Sequence, residues 1–247
     1  NMTNDVIGIV DVLGYETAIT IGHDWGGPIA LHTAALNEDR ISATGTMSVP
    51  FTGRGPMPAL DLWKQVYKDN FFYQLYFQKE GIAEAEFESD LQKSLFITYT
   101  NSDGRGMQNN LEKGQSGLVP KKDKNSTFLE GMEVFDDFPD WFKQEDLDYF
   151  VSQFEISGLR GPFNRYRAQN IDWNELAELD KKLKQPACFI TGTLDPVNFF
   201  IATDEPLIDR IEANYENLLF AEELEGIGHW TQQEAPEEVN RLILKFL

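Results

Sequence analysis

The stretch Gly22-His23-Asp24-Trp25-Gly26 decides the fold of this chain. It follows the apolar, β-prone run Ala18-Ile19-Thr20-Ile21 and precedes Gly27-Pro28-Ile29-Ala30-Leu31, which predicts the start of a helix. A strand, a G-x-nucleophile-x-G turn and a helix form a nucleophile elbow, which lifts one reactive side chain above the end of a strand. We expect the flanking glycines to be required, because the turn is strained and both flanks pack closely against backbone.

The nucleophile position holds Asp24 instead of the usual serine. A carboxylate has an ordinary pKa of about 3.9, so it is ionised at neutral pH and attacks without a base. Attack at a carbon atom makes an alkyl ester, which an activated water must then hydrolyse. The sequence therefore predicts a base, and an acid that orients it, in the chain order nucleophile, acid, base.

Both partners follow later predicted strands. The run 187–192 reads as a buried strand and leads into a turn with Asp195, and a last strand starting at 218–220 is followed by His229. Catalytic groups of open parallel sheets gather at the carboxyl ends of strands, so we expect Asp24, Asp195 and His229 to meet there. Each residue alone also fits a turn or a surface position, but the three in this order favour a catalytic triad.

The charge and the cysteine content exclude several classes of function. Acidic residues outnumber basic ones by 41 to 21, which gives a net charge of −20 and argues against nucleic acid or anionic membranes as partners. Cys188 is the single cysteine, so an intrachain disulfide or a cysteine metal cluster is excluded. No run approaches the roughly 18 apolar residues of a membrane-spanning helix, and the first residues do not form a signal peptide. We therefore expect a cytoplasmic protein.

Other candidate ligands receive structural interpretations. His23 should point away from Asp24, and His32 lies within the predicted helix, so both histidines are taken as structural. The acidic stretch 80–90 is interpreted as a solvated helix face and not as a metal site. No metal site is predicted.

The chain divides by pattern into an α/β core, residues 1–51 and 185–247, and a mainly helical cap or lid, residues 52–184. The core pattern is a helix at 6–13, strands at 18–21, 41–49, 187–192 and 218–220, and a C-terminal helix ending at 247. In the cap we expect one helix that carries Phe87, Leu91 and Leu95, a polar loop at 101–125, and helices at 147–154 and 164–179.

The position of the elbow predicts a larger sheet. Few strands are visible and the elbow strand comes almost at once, yet its sequence suggests burial on both faces, as in the middle of a parallel sheet. We therefore expect that strands preceding the elbow are missing from this chain.

The elbow, the Asp195 turn and the segment Gly228-His229-Trp230-Thr231-Gln232 together resemble the α/β-hydrolase-fold epoxide hydrolases of the soluble type. Two further segments resemble the two cap tyrosine motifs of that family. They are Tyr73-Gln74-Leu75-Tyr76-Phe77-Gln78 with Gly81-Ile82-Ala83-Glu84-Ala85-Glu86, and Gly161-Pro162-Phe163-Asn164-Arg165-Tyr166-Arg167. The resemblance covers essentially the whole chain.

The resemblance implies roles for three more residues. Tyr73 and Tyr166 would hydrogen-bond the epoxide oxygen and protonate it as the ring opens, which suits a phenol with a pKa near 10. Trp25 would contribute its backbone N–H to an oxyanion hole. The alternative is that Tyr73 and Tyr166 only pack in an aromatic cap, and Tyr76 is the first alternative to Tyr73.

One departure from the family concerns the oxyanion hole. The family's other donors lie in a His-Gly-x-Pro loop before the elbow, and the present sequence has no such motif. This fits the expected missing strands, and it predicts that residues 1–247 alone are inactive and poorly soluble.

The resemblance implies a cofactor-free epoxide hydrolase that acts on a small-molecule epoxide and releases a vicinal diol. A homodimer is compatible with the sequence, which does not fix the oligomeric state. Two alternatives remain open. A haloalkane dehalogenase would use the same Asp-Trp elbow, with the Trp25 indole N–H binding halide. A catalytically silent binding protein would have the hydrolase fold without the activity.

Overall fold

The computed structural model describes residues 2–115, 117–177, 179, 182–200 and 203–247. The chain divides into two compact units. The first, Asn1–Gly55 with Ala177–Leu247, is the α/β unit, and the second, Pro56–Leu176, is the helical unit. Leu183 belongs to the α/β unit, because it pairs with Tyr215 and lies in that unit's core, whereas the sequence placed it in the cap segment.

The α/β unit contains a parallel sheet whose strands lie in the order β1-β2-β3-β4. The strands are β1 Ala18–His23, β2 Ile41–Met47, β3 Ala187–Gly192 and β4 Leu218–Leu224. Because all strands run in one direction, their carboxyl ends lie along one edge of the sheet. The residue after β1 is Asp24 and the residue after β2 is Ser48, while the loops after β3 and β4 carry Asp195 and His229.

The helices, in chain order, are α1 Met2–Val12, α2 Gly26–Leu36, α3 Ala59–Val66, α4 Tyr73–Tyr76, α5 Ile82–Glu88, α6 Leu91–Ser102, α7 Gly104–Glu112, α8 Gln144–Ser157, α9 Arg160–Arg167, α10 Gln169–Glu175, α11 Leu207–Glu212, α12 Thr231–Glu234 and α13 Pro236–Phe246. None of the helices in the described part of the chain is long and apolar enough to cross a membrane.

Strand β3 is buried along its whole length because helices cover both faces of the sheet. Successive side chains of a strand point to opposite faces. Phe189 packs on one face with Leu31 of α2, and Ile190 packs on the other with Val239 and Leu242 of α13. This double cover explains why β3 reads as a continuous apolar run.

Strand β1 lies at the edge of the sheet and pairs with β2 alone among the described strands. Its side chains Ile19 and Ile21 are exposed, at 41% and 37% of their surface. Apolar side chains are therefore exposed on a strand whose sequence suggests burial, and the second edge of β1 is unpaired among the described strands.

The helical unit has an aromatic core. Phe77, Phe87, Phe128 and Phe163 are buried together, and both Tyr73 and Tyr166 pack against them. A second cluster joins Leu95 of α6 to Phe142 and Leu147.

Two expectations for this unit are wrong. Phe87 and Leu95 do not share a helix, because α5 ends at Glu88 and the carboxylate of Asp90 caps α6 by accepting from the Lys93 N–H at 3.0 Å. The expected loop at 101–125 contains α7, capped by Asp103, whose carboxylate accepts from the Gly106 N–H at 2.7 Å.

Close packing explains the glycine at position 106. A Cβ at Gly106 would lie 2.2 Å from the Thr100 carbonyl oxygen, so glycine lets α7 turn back tightly on α6. The helical segment expected at 164–179 corresponds to the end of α9 and to α10, which ends at Glu175, and residue 178 lies outside the described residues.

Candidate active site

The elbow places Asp24 in a strained conformation between β1 and α2. Its φ of 48° is left-handed, which is uncommon for a residue other than glycine. A Cβ at Gly22 would lie 2.1 Å from the Gly26 carbonyl oxygen, so only glycine fits there. The expectation for Gly26 itself is wrong, since nothing lies within 4 Å of a Cβ at that position; the second close approach is at Gly27, 3.2 Å from the Val49 oxygen.

His229 lies between the two carboxylates that the sequence assigned to it. Its Nε2 is 3.3 Å from Oδ2 of Asp24, and its Nδ1 is 3.1 Å from Oδ1 of Asp195. The structure therefore brings together three residues from three separate strand ends, in the arrangement of a nucleophile, a base and an orienting acid.

Asp195 is held in place by its own loop. The side chain is fully buried, and its Oδ1 also accepts a hydrogen bond from the Val197 N–H at 2.9 Å. Gly192, at the end of β3, lets this loop approach the loop of His229, because a Cβ there would lie 1.9 Å from the Ile227 oxygen. The acid and the base are thus set by direct contact between their two loops.

The charges of the site are coupled. Burial alone would lower the pKa of His229, but the carboxylates of Asp195 and Asp24 outweigh it and raise that pKa to about 10. Burial raises the pKa of Asp24, yet the bonds from His229 and from the Trp25 backbone N–H outweigh it, so the pKa of Asp24 is lowered. The free site therefore holds an ionised Asp24 beside a protonated His229.

The backbone N–H of Trp25 donates a hydrogen bond to the carboxylate of Asp24, the group that would become an ester. A donor placed there would stabilise negative charge on the ester oxygen during hydrolysis.

Two residues that the sequence did not assign to the site hold the backbone of His229. Nε2 of His23 lies 2.7 Å from the His229 carbonyl oxygen, and the Ser48 hydroxyl donates to the same oxygen at 3.2 Å. Since a carbonyl only accepts, the His23 tautomer carries its proton on Nε2, and burial, the largest cause, lowers the pKa of His23. His23 thus bonds the loop that carries His229, a contact that its interpretation as a structural residue did not include.

Ser48 is the second strained residue of the α/β unit, with a φ of 69° and a fully buried side chain. Its backbone follows β2, so it lies between the ends of β1 and β3. The sequence signal that could have found it is its position directly after a strand, at the edge where the catalytic groups gather.

The tyrosines belong to the helical unit. The rings of Tyr73 and Tyr166 meet edge to face, with centroids 5.7 Å apart. The Tyr76 hydroxyl instead donates to Oε2 of Glu86 at 2.8 Å, and burial together with that carboxylate raises the pKa of Tyr76. Tyr76 is therefore committed to a structural bond, which favours Tyr73 as the partner of Tyr166.

The acidic stretch 80–90 is not simply a solvated face. Glu84 forms an ion pair with Arg167, with both side chains at most 12% exposed, and Glu86 accepts from the backbone N–H groups of Phe128 and Leu129. Among the described residues, no group of three or more His, Cys, Asp or Glu side chains could hold a metal ion.

The chain is similar in sequence to known hydrolases. Residues 2–236 match the sequence family described as alpha/beta hydrolase fold. Epoxide hydrolase A of Mycobacterium tuberculosis (strain ATCC 25618 / H37Rv) is 34% identical over 247 residues, which are 100% of this chain and 73% of that protein. Epoxide hydrolase 2 of Siraitia grosvenorii is 30% identical, over 100% of this chain and 75% of its own length.

Solved structures give the same result. An epoxide hydrolase from an endophytic Streptomyces has a TM-score of 0.87 and 35% identity, covering 99% of this chain and 72% of its own. Epoxide Hydrolase A from Mycobacterium thermoresistibile has a TM-score of 0.87 and 30% identity, over 99% and 73%. Relatives more than 30% identical and structures of the same fold match nearly the whole chain. The chain therefore belongs to the epoxide hydrolase family of the α/β-hydrolase fold.

Proposed function

We propose that this chain adds water to a small-molecule epoxide and releases a vicinal diol through an ester on Asp24. The observation that carries the proposal is the position of His229, which lies within 3.3 Å of Asp24 and 3.1 Å of Asp195. The curated relatives named as epoxide hydrolases support the substrate class.

In the first half-reaction, a carboxylate oxygen of Asp24 attacks a ring carbon of the epoxide. The ring C–O bond breaks as the new ester bond forms, and the ring oxygen takes a proton from Tyr73 or Tyr166. An alkoxide leaving group needs such a donor at neutral pH, and a phenol supplies it. The edge-to-face contact of the two rings supports a shared role.

In the second half-reaction, Nε2 of His229 takes a proton from water, and the oxygen of that water attacks the ester carbonyl carbon. The Trp25 backbone N–H stabilises the negative oxygen that forms. Collapse breaks the bond between the carbonyl carbon and the ester oxygen. The departing alkoxide takes the proton of the Asp24 carboxyl group that the added water has completed, so the diol leaves with Asp24 ionised and His229 protonated. Each half-reaction is easier than direct hydration of the epoxide.

The charges suggest why the base works only in the second step. A protonated His229 cannot accept a proton, and two carboxylates keep its pKa at about 10 in the free site. Ester formation removes the negative charge of Asp24, so one of these carboxylates no longer stabilises the imidazolium. The pKa of His229 then falls, its proton passes through solvent to the tyrosinate left by the first half-reaction, and the imidazole becomes a base once the ester is present.

A trapping experiment tests this mechanism. The variant His229→Gln, made in the full-length protein and mixed with styrene oxide, should gain the mass of one substrate molecule and hold it. The variant Asp24→Ala should gain nothing. An adduct on Asp24→Ala would refute the nucleophile, and the absence of both adduct and diol in every form would favour a silent binding protein.

The same assay separates the dehalogenase alternative. A chloroalkane should not be turned over with release of chloride, because the paired tyrosines suit an alkoxide that needs a proton, which halide does not. Chloride release at a rate comparable to diol formation would contradict the proposed substrate class.

A further inference from the structure

One carboxylate holds the backbone on both sides of the catalytic histidine. Oε2 of Glu234 accepts a hydrogen bond from the Gly228 N–H at 3.0 Å, and Oε1 accepts one from the Trp230 N–H, also at 3.0 Å. Gly228 and Trp230 are the two neighbours of His229 in the chain. Glu234 therefore accepts hydrogen bonds from the two amides that flank His229. It belongs to α12, which starts two residues after His229.

These bonds matter because the loop that carries His229 follows the last residue of β4 and lies outside the sheet. The peptide that joins His229 to Trp230 is held at both of its polar atoms. Its oxygen accepts from His23 and Ser48, and its N–H donates to Glu234. The backbone that carries the His229 side chain is thus held by groups from three different parts of the chain.

We propose that Glu234 is the positioning residue of His229 and that it sets the rate at which the ester is hydrolysed. This inference rests on the proposed function. The imidazole must point its Nε2 toward the attacking water while its Nδ1 stays on Asp195, and a misplacement of about 1 Å can slow such a step by about 100-fold. Asp24 attacks the epoxide without a base, so ester formation does not need this alignment.

The substitution Glu234→Gln isolates this role because it keeps the shape of the side chain. An amide has one acceptor oxygen and one donor NH2 group, so one flanking N–H would face a donor in place of an acceptor. We expect ester formation at the wild-type rate and ester hydrolysis slowed by about 10- to 100-fold, so that the ester accumulates. Glu237→Gln removes the same charge from an exposed position nearby and serves as the control.

The experiment measures the two half-reactions separately in the full-length protein, by rapid mixing with styrene oxide and mass spectrometry. It also measures the pH profile of ester hydrolysis. A looser contact between His229 and Asp195 lowers the pKa of the imidazole, so the rise of the hydrolysis rate with pH should move to lower pH in Glu234→Gln and stay in place in Glu237→Gln. A general loss of stability would not move this profile.

Equal slowing of both half-reactions, or unchanged hydrolysis, would overturn the proposal. If Glu234→Gln does not fold, the same criteria apply to Glu234→Asp, which keeps an acceptor on a shorter side chain. If the wild type forms no ester, the proposed function fails. The NMR signal of the His229 Nδ1 proton then still tests whether Glu234 positions His229. That signal should shift or broaden in the Glu234 variant alone, and an unchanged signal would refute the positioning role.

Discussion

Replacing Asp24 by asparagine should lower the pKa of His229, because it removes one of the two carboxylates that hold the imidazole protonated. The substitution also imitates the uncharged, esterified form of Asp24. It therefore tests whether ester formation converts His229 from an acid into a base.

The size of the shift follows from the separation of 3.3 Å between His229 Nε2 and Asp24 Oδ2. Coulomb's law gives about 1 kcal/mol for two unit charges at that distance in water and about 5 kcal/mol at an effective dielectric constant of about 20. One pKa unit equals about 1.4 kcal/mol, so the range is about one to four units. Since 33% of the Asp24 side chain is exposed, we expect about one to two units.

The assay is an NMR titration of the histidine ring protons, which is simple to assign because the chain has three histidines. Asp195→Asn should lower the pKa of His229 further, since Asp195 is fully buried. Asp39→Asn, at an exposed position, should not change it. An unchanged or higher pKa of His229 in Asp24→Asn would refute the coupling.

The same titration has a consequence for stability. The folded-state pKa of His229, about 10, lies above its ordinary value of 6.5. Its contribution to the free energy of unfolding is therefore fully present below pH 6.5 and is lost as the pH rises toward 10. Urea unfolding at several pH values should show this decline in the wild type and a smaller one in Asp24→Asn.

Three further predictions concern other parts of the chain. Tyr73→Phe and Tyr166→Phe should each slow ester formation in single-turnover kinetics, with a loss of about 2–4 kcal/mol of transition-state stabilisation, as for an oxyanion-hole donor. Arg167→Met should lower the free energy of unfolding by about 1–3 kcal/mol, because the half-buried carboxylate of Glu84 loses its cation but keeps its bond from the Gly81 N–H. Gly192→Ala should destabilise the protein and slow ester hydrolysis, since its Cβ would collide with the histidine loop, whereas Gly26→Ala should stabilise it by about 0.4–1 kcal/mol.

Each of these has a matched control. Tyr76→Phe should lower stability without slowing ester formation, because its hydroxyl bonds Glu86. Arg241→Met breaks an exposed ion pair and should have a smaller effect than Arg167→Met. Wild-type ester formation in the double variant of Tyr73 and Tyr166, or an unaffected Gly192→Ala, would contradict the corresponding argument.

The elements that the sequence predicted well are those with a local signature. The elbow needs a strand, a following helix and a glycine at position 22, where a Cβ would collide with the Gly26 oxygen. All three features occur within a short segment of the sequence. Strand β3 was predicted with its observed bounds because burial on both faces leaves a continuous apolar run. The polar sequence wrongly predicted a loop at 101–125. There the close approach of α7 to α6 requires glycine at position 106.

The sequence by itself determined the order of Asp24, Asp195 and His229 and their places at strand ends, because the chemistry of each residue and the period of each strand are local properties. Only the tertiary structure decided which distant groups hold the carbonyl oxygen of His229. His23 and Ser48 lie 206 and 181 residues from His229 along the chain, and no local pattern links them. Their contact arises because the parallel strands of one sheet bring their carboxyl ends to a common edge.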